Sequence, residues 1–388
     1  MSITQNDKEY IANTYARFPV ELVSGKGAVI RDSDGKEYID LGAGIAVNIF
    51  GAADEEWANA VTKQLTSLQH TSNLYYTEPC SSLAKLLCER TGMKKVFFSN
   101  SGAEANECAI KAARRYAFNK FGDESHSNII TLKNSFHGRT IATLTATGQD
   151  GYHTHFGPFP EGFYYAEANN IDDVKRIAEE HDCIAIMMEI VQGEGGVCPL
   201  NPDFVKGVEK LAKEKEMLII IDEVQTGNGR TGELYAYMNY GLKPDIVTTA
   251  KGLGGGLPIG ATMFAESTAD VLVPGSHGST FGGNPVCCAG ALNILGRIDD
   301  ELLSEVKKKS EYIFSELQGA KNVKSVSGMG LMIGIETEKP AKDIVNACLE
   351  KGVLVLTAKT RIRLLPPLNI GWDELKKAVS ILKETIEE

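Results

Sequence analysis

The chain lacks features that mark whole classes of protein. None of its 388 residues lies in an apolar run long enough for a membrane-spanning helix, and its polar start has no basic-then-apolar secretion signal. No cluster of Lys and Arg alternates with aromatic residues, and the net charge of −11 would repel a phosphate backbone. These absences predict a cytoplasmic protein that binds neither membranes nor nucleic acids.

Metal-binding and disulfide patterns are also missing. None of the eight cysteines forms a C-x-x-C motif, and their neighbours resemble core helices or strands. We therefore expect reduced thiols rather than a disulfide frame or a zinc site. His153 and His155 stand close together, but no further Cys, His or acidic residue has a supporting spacing. The sequence predicts no bound metal.

What is present indicates a large α/β domain. From about residue 80 to about residue 265, apolar runs alternate with amphipathic helical stretches, which is typical of a mostly parallel sheet with helical crossovers. Asn-Pro pairs at 201–202 and 284–285 predict helix starts. The candidate strands are 95–98, 128–132, 183–188, 217–221, 246–249 and 260–264.

The two ends of the chain predict a smaller α+β domain. Residues 28–41 alternate around Asp32-Ser33-Asp34-Gly35, which is a hairpin signal. After residue 300 follow an amphipathic helix, short strands at 330–336 and 352–356, and a closing helix from Trp372. We predict an N-terminal part of the small domain at 1–50, a large ligand-binding domain at 51–278 and a C-terminal small domain at 279–388.

Polar segments follow four of the predicted strands, at the edge where open α/β sheets bind ligands. In the first, Ser101-Gly102-Ala103, glycine permits close backbone approach and the free amides of a helix N-terminus suit a phosphate. The alternative is that Ser101 and Glu104 only form a capping box.

Two further segments supply an acid and an amine. Asp222 ends an apolar strand, and a buried carboxylate there needs a cationic partner such as a protonated pyridine nitrogen. Lys251 ends the next strand beside several glycines, where a lysine loses its proton readily and attacks carbonyl groups. The alternatives are an acid that caps a loop and a surface lysine beside a flexible loop.

The fourth segment contains Phe136 and Arg139. Phe136 can stack on a planar ring and Arg139 can bind a carboxylate with two hydrogen bonds, although a packing Phe beside a solvated Arg is the alternative. Together the four segments supply a phosphate cradle, a ring acid, a stacking face and a nucleophilic lysine. By contrast, the G-x-G-x-x-G at 227–232 lies five residues after its strand, so it does not predict a dinucleotide site.

These residues resemble a known family. From Gly35 to Pro367 the chain is similar to the class III, or ω-amino-acid, aminotransferases of fold type I, and most closely to the acetylornithine aminotransferases. These enzymes use pyridoxal 5′-phosphate (PLP). The most specific segments are Ser-Gly-Ala-Glu-Ala-Asn at 101–106, Phe-His-Gly-Arg at 136–139, Gln-Gly-Glu-Gly-Gly at 192–196, Asp-Glu-Val-Gln-Thr-Gly at 222–227, Ala-Lys-Gly-Leu-Gly-Gly-Gly at 250–256 and Gly-Ser-Thr-Phe-Gly-Gly-Asn-Pro at 278–285.

The resemblance implies a role for each site residue. Lys251 becomes the Schiff-base lysine and Asp222 the partner of the pyridinium nitrogen, while Gln225 contacts the 3-hydroxyl group of the ring. Arg139 holds the distal carboxylate of the substrate, and Glu194 masks Arg363 until a dicarboxylate displaces it. The remaining implied residues are Phe136 and Val224 for ring stacking, Ser101, Gly102 and Ala103 for the phosphate, Thr280 from a neighbouring subunit, and Ser279 for the substrate.

The implied activity is amino transfer in arginine biosynthesis, from N2-acetylornithine to 2-oxoglutarate, by a homodimer with shared active sites. N-succinylornithine, N-succinyl-diaminopimelate, ornithine and 4-aminobutyrate remain alternative donors. Another PLP reaction, such as an aminomutase or a decarboxylase, and an inactive binding protein are rival interpretations. The chain departs from many relatives at 51–55, where Gly-Ala-Ala-Asp-Glu replaces Gly-His-x-His-Pro, and at Ala103, where some have Thr.

Overall fold

The computed structural model describes residues 2–388. In this range the α-helices are α1 (Ile3–Tyr10), α2 (Ala43–Ala46), α3 (Glu55–Ser67), α4 (Glu78–Thr91), α5 (Gly102–Phe121), α6 (Ile141–Ala146), α7 (Ile171–Glu180), α8 (Pro202–Lys215), α9 (Pro285–Gly296), α10 (Asp300–Leu317), α11 (Ala341–Glu350) and α12 (Trp372–Glu387). The strands are β1 (Leu22–Lys26), β2 (Val29–Asp32), β3 (Glu37–Asp40), β4 (Lys95–Ser99), β5 (Asn128–Leu132), β6 (Phe163–Ala166), β7 (Cys183–Met188), β8 (Val191–Gln192), β9 (Cys198–Pro199), β10 (Leu218–Asp222), β11 (Ile246–Thr249), β12 (Gly260–Phe264), β13 (Val323–Met329), β14 (Met332–Thr337), β15 (Val353–Leu354), β16 (Leu356–Ala358) and β17 (Arg361–Leu364).

A seven-stranded sheet forms the centre of the molecule, in the order β4-β12-β11-β10-β7-β5-β6. Strands β6, β5, β7, β10 and β11 are mutually parallel, and β12 runs antiparallel to both β11 and β4. The predicted α/β fold with a mostly parallel sheet is confirmed, and all six predicted strands belong to this sheet. The edge strand β6 was not predicted.

Burial on both faces explains why these segments form strands. Every residue of β10, β11 and β12 is buried, which suits the β-branched runs of β10 and β11 and the mostly apolar residues of β12. The buried alanines of helix α5 cover one face of the central sheet. The apolar side of helix α8 packs in the hydrophobic core on the other face. Helices α8 and α9 begin with Pro after Asn201 and Asn284, as predicted.

Segments from both chain ends form the smaller α+β part. One sheet has the order β1-β2-β3-β15 and so joins the N-terminal hairpin to a strand near the C-terminus, while a second has the order β13-β14-β17-β16. The predicted hairpin is present, because β2 and β3 pair antiparallel. The domain limits at residues 50/51 and 278/279 stay a prediction. Helix α9, which follows the second limit, packs against α3 and α4 from the predicted large domain. No helix within residues 2–388 is both long and apolar enough to cross a bilayer.

The direction of the strands determines where the site lies. Strand β12 is antiparallel to both β4 and β11, so β4 runs the same way as β11, β10 and β5. The four polar segments singled out in the sequence directly follow these four strands. They therefore meet at one edge of the sheet, as strand-end sites do in this fold class.

Candidate active site

A cleft of about 460 Å³ opens at this edge of the sheet. All four strand-end segments contribute to its wall. The predicted site residues that line it are Ser101, Gly102, Ala103, Phe136, Arg139, Asp222, Val224, Gln225 and Lys251.

The start of helix α5 forms one end of the cleft. The Ser101 hydroxyl accepts a hydrogen bond from the Glu104 amide at 3.2 Å, so the predicted cap is present. Amides of a first helical turn have no acceptor within the helix, so the cap and a phosphate cradle at Gly102 and Ala103 are compatible. A Cβ atom on Gly102 would lie 2.6 Å from Val224 Cγ1, which leaves room only for glycine.

Asp222 lies at the base of the cleft with 3% of its surface exposed. Its Oδ2 atom accepts a hydrogen bond from Asn106 Nδ2 at 2.7 Å and lies 2.8 Å from His137 Nδ1. Its Oδ1 atom accepts the Val224 amide at 3.0 Å. Two amide donors and the neighbouring imidazole nitrogen thus fix the orientation of the carboxylate.

Asn106 and His137 both contact Asp222, although the sequence indicated no role for Asn106 and only a positioning role for His137. Asn106 Nδ2 also donates to the His137 carbonyl at 2.7 Å, and its Oδ1 accepts the Thr248 hydroxyl at 2.6 Å. Every polar atom of the Asn106 side chain is therefore engaged in holding the ring acid. The placement of Asn106 inside the 101–106 motif was the only available signal.

Glu189 is a further residue that the sequence did not indicate, and it follows strand β7 at the same sheet edge. Its carboxylate accepts the Phe136 amide at 2.9 Å and the Gly193 amide at 3.1 Å. Burial raises the pKa of Glu189 to about 7, with nearby His137 opposing the shift and Asp222 adding to it. Glu189 therefore connects the backbone at Phe136 to the backbone at Gly193, which directly precedes Glu194.

Lys251 follows β11 and projects into the cleft. Its φ of 43° lies in the left-handed region, which costs free energy in a residue other than glycine. Burial lowers the pKa of Lys251, although the charge of Glu194 opposes that shift. The amine is therefore more often neutral, and so more nucleophilic, than that of a surface lysine.

Glu194 and Arg363 form the predicted ion pair, although they are far apart in sequence. Arg363 Nη1 donates to Glu194 Oε1 at 2.5 Å, and it also donates to Gln225 Oε1 at 3.1 Å. Burial, the largest single effect, would raise the pKa of Glu194. The charge and hydrogen bond of Arg363, together with Lys251 and Gln225, outweigh it, so the pKa is lowered. The acid covers the arginine, which is 3% exposed.

Arg139 differs from Arg363 in its surroundings. Within residues 2–388 its guanidinium has no carboxylate partner, and it is exposed at the cleft. It lies over the ring of Tyr152, with 4.2 Å between Cζ and the ring centroid. Arg363 and Glu194 do not line the wall of the cleft, but both contact Gln225, which does. One arginine covered by an acid therefore lies behind the wall, and one without an acidic partner lies on it.

Ser279 and Thr280 lie outside the wall of this cleft. Ser279 Oγ accepts a hydrogen bond from Asn100 Nδ2 at 3.1 Å, directly before the phosphate cradle. Thr280 is exposed to solvent and does not line the cleft of its own chain. Their roles stay predictions that require a second copy of the chain.

The sequence matches the family model for "Aminotransferase class-III" over residues 10–386. The chain belongs to the class III aminotransferase family. It is 51% identical over 388 residues to an acetylornithine aminotransferase from Haemophilus ducreyi, covering 100% of this chain and 98% of that one. It is 45% identical to the enzyme of that name from Aquifex aeolicus, covering 97% and 100%.

Solved structures of the family share the fold. Ornithine aminotransferase from Toxoplasma gondii, which has partial occupancy of PLP at its active site, superposes with a TM-score of 0.94 at 31% identity, covering 99% of this chain and 93% of that one. N-acetylornithine aminotransferase from Stenotrophomonas maltophilia superposes with a TM-score of 0.85 at 33% identity, covering 99% and 98%. The predicted family and fold are confirmed.

Class III aminotransferases are PLP-dependent, and the residues of this cleft fit that cofactor. Gly102 has no space for a side chain beside Val224, so backbone amides rather than a side chain face the phosphate position. A charged, oriented Asp222 suits a protonated ring nitrogen, and Lys251 supplies the amine for a carbonyl carbon. The donor set contains each type of group that the cofactor requires.

Proposed function

We propose that this chain transfers the terminal amino group of N2-acetyl-L-ornithine to 2-oxoglutarate, giving N-acetyl-L-glutamate 5-semialdehyde and L-glutamate. The observation that carries the proposal is the pair of arginines, since a free Arg139 and a covered Arg363 suit two substrates that differ in their number of carboxylates. The relatives from Haemophilus ducreyi and Aquifex aeolicus carry the name acetylornithine aminotransferase.

The residues that would hold PLP come from all four strand ends. Lys251 would bind its aldehyde carbon covalently, Gly102 and Ala103 would bind its phosphate, and Phe136 and Val224 would enclose its ring. Asp222 would pair with the ring nitrogen, and Gln225 would contact the 3-hydroxyl group. When bound, the cofactor supplies an electron sink that stabilises negative charge at the substrate carbon bearing the amino group.

Lys251 also carries the proton transfer. Its free, neutral amine would remove the proton from the substrate carbon that bears the nitrogen. Burial favours the neutral form of this amine, which is the form that accepts a proton. The donors around Asp222 hold its carboxylate in place, where it would stabilise the protonated form of the ring nitrogen.

The two arginines would sort the substrates. In the first half-reaction, Arg139 holds the α-carboxylate of N-acetylornithine, and Glu194 stays on Arg363. In the second, Arg139 takes the γ-carboxylate of 2-oxoglutarate, while its α-carboxylate displaces Glu194 from Arg363. The ion pair therefore excludes α-amino acids from the first half-reaction without blocking the dicarboxylate that must enter the second.

We further propose a cytoplasmic homodimer with shared active sites. Leu74, Tyr75 and Tyr76 are all strongly exposed, and Tyr76 has no cover at all. Their segment adjoins the one that carries Thr280, because Asn73 Nδ2 donates to the Gly282 carbonyl at 2.9 Å. This exposed apolar patch lies beside Thr280, a predicted site residue that does not line the cleft of its own chain. Both features are expected if a second copy of the chain packs here.

The experiment measures initial rates of glutamate formation with a series of amino donors at fixed 2-oxoglutarate. We expect N-acetylornithine to have the highest kcat/KM, with N-succinylornithine, N-succinyl-diaminopimelate, ornithine and 4-aminobutyrate below it. Acyl groups of related size differ by modest factors in a pocket of this kind, so related donors should also react. A higher kcat/KM for unacylated ornithine or 4-aminobutyrate would contradict the proposal.

A further inference from the structure

Three side chains form a cluster beside the cleft, in which Phe136 and Arg139 line the cleft and Tyr152 lies behind them. Arg139 Cζ lies 4.2 Å from the ring centroid of Tyr152 and 5.5 Å from that of Phe136. The two rings meet edge to face, with centroids 5.6 Å apart and an interplanar angle of 73°. The guanidinium thus lies closest to Tyr152, which no motif of the sequence had singled out.

Stacking on an aromatic ring leaves a guanidinium available to a ligand. The ring attracts the charge from one side, whereas the N–H groups that grip a carboxylate lie along the edge of the guanidinium plane. An acidic partner would occupy that edge, and Arg139 has none within the described range 2–388. Tyr152 can therefore fix the direction of Arg139 without competing for its donors.

Hydrogen bonds hold the turn that carries Tyr152 against the loop that carries Arg139. Tyr152 ends a short 3-10 turn at Asp150–Tyr152, and its amide donates to the Gln149 carbonyl at 3.0 Å. Gln149 Nε2 donates to the Ser135 carbonyl at 2.9 Å, and the Gly148 amide donates to Ser135 Oγ at 3.0 Å. These bonds connect the turn to the loop that carries Phe136 and Arg139.

We propose that Tyr152 is a positioning residue that holds Arg139 ready for a substrate carboxylate. The inference rests on the proposed function, in which Arg139 binds a carboxylate in both half-reactions. Without the ring, the long side chain of Arg139 samples more rotamers, and each carboxylate must order it on binding. The loss therefore appears in substrate binding rather than in the proton transfer at Lys251.

The test compares three variants with the wild-type holoenzyme. Tyr152→Leu removes the ring, Tyr152→Phe keeps it without the hydroxyl, and Phe156→Leu removes an aromatic ring from the same loop that is 58% exposed. We expect Tyr152→Leu to raise KM for both N-acetylornithine and 2-oxoglutarate by roughly 2- to 30-fold, the range of a cation–π contact, with kcat nearly unchanged. Tyr152→Phe and Phe156→Leu should keep wild-type KM values.

A binding measurement separates this inference from the proposed function. Glutarate has the two carboxylates of 2-oxoglutarate but no keto group, so calorimetry reports its Kd without turnover. A Kd that rises in Tyr152→Leu but not in Tyr152→Phe supports the inference even if N-acetylornithine proves to be a poor donor. An unchanged Kd, an equal rise in Tyr152→Phe, or a matching loss of PLP affinity in Tyr152→Leu would overturn it.

Discussion

Replacing Glu194 by Gln should weaken discrimination between the two kinds of substrate. The change removes one negative charge but keeps an oxygen that can still accept from Arg363. Arg363 also retains its bond to Gln225 Oε1 at 3.1 Å, so the buried guanidinium is not left without acceptors. The variant should fold and bind cofactor while covering Arg363 less tightly.

The size of the effect follows from the type of interaction that is lost. Arg363 keeps its charge, so its bond to Gln is still charge-assisted and the loss is the Coulomb attraction of the ion pair. For this partly buried pair the loss lies above the range of roughly 0.2–1 kcal/mol for exposed pairs, at about 1–1.5 kcal/mol. An α-carboxylate that displaces the side chain gains that amount. We expect kcat/KM for glutamate as amino donor to rise roughly 5- to 15-fold relative to that for N-acetylornithine.

The assay is a single-turnover experiment on the PLP-loaded enzyme, mixed with each donor alone and followed by visible absorption. Glu336→Gln is the matched control. Glu336 pairs at 3.2 Å with Arg361, which lies on the same strand as Arg363, but unlike Glu194 it has no hydrogen bond to Arg363 or Gln225. An unchanged ratio of the two donors in Glu194→Gln, or an equal change in the control, would refute the account of Arg363.

Two further variants test the cofactor site and the buried amine. Asn106→Leu removes a donor to Asp222, so the Kd for PLP, measured by equilibrium dialysis, should rise about 10- to 100-fold, and an unchanged Kd would show that Asn106 does not support the acid. Lys251→Met should raise the denaturation midpoint of the cofactor-free protein at neutral pH, because burial lowers the pKa of Lys251 and so penalises its charged form. That gain in stability should be largest at low pH and should shrink as the pH approaches the ordinary pKa of lysine, 10.5. A gain that grows with pH would contradict a lowered pKa of Lys251.

Local patterns were sufficient to predict the sheet and the place of the site. Continuous β-branched runs such as 246–249 form strands because both of their faces are covered, and polar residues directly after such runs meet at one edge. Strand β6 was missed because its Phe-Tyr-Tyr-Ala lies at the sheet edge and pairs only with β5. A short, half-buried edge strand has little periodicity to detect.

The contacts between the site residues required the structure. The bond from Asn106 to Asp222 spans 116 positions, and the pair of Arg363 with Glu194 spans 169. Neither contact can be derived from local sequence patterns, because the partners are so far apart in the chain. The resemblance to a known family suggested only the pair of Arg363 with Glu194. Tyr152 illustrates the same limit, since its role depends on a turn that folds back onto Ser135.

The most direct test of the central claim is the visible absorption spectrum of the PLP-loaded protein on addition of N-acetylornithine alone, with Lys251→Ala as the control. We predict that the band of lysine-bound PLP disappears with N-acetylornithine and returns when 2-oxoglutarate is added, and that Lys251→Ala shows no such cycle. A wild-type band that persists in N-acetylornithine would contradict the proposed donor, and a normal cycle in Lys251→Ala would contradict the role of the lysine.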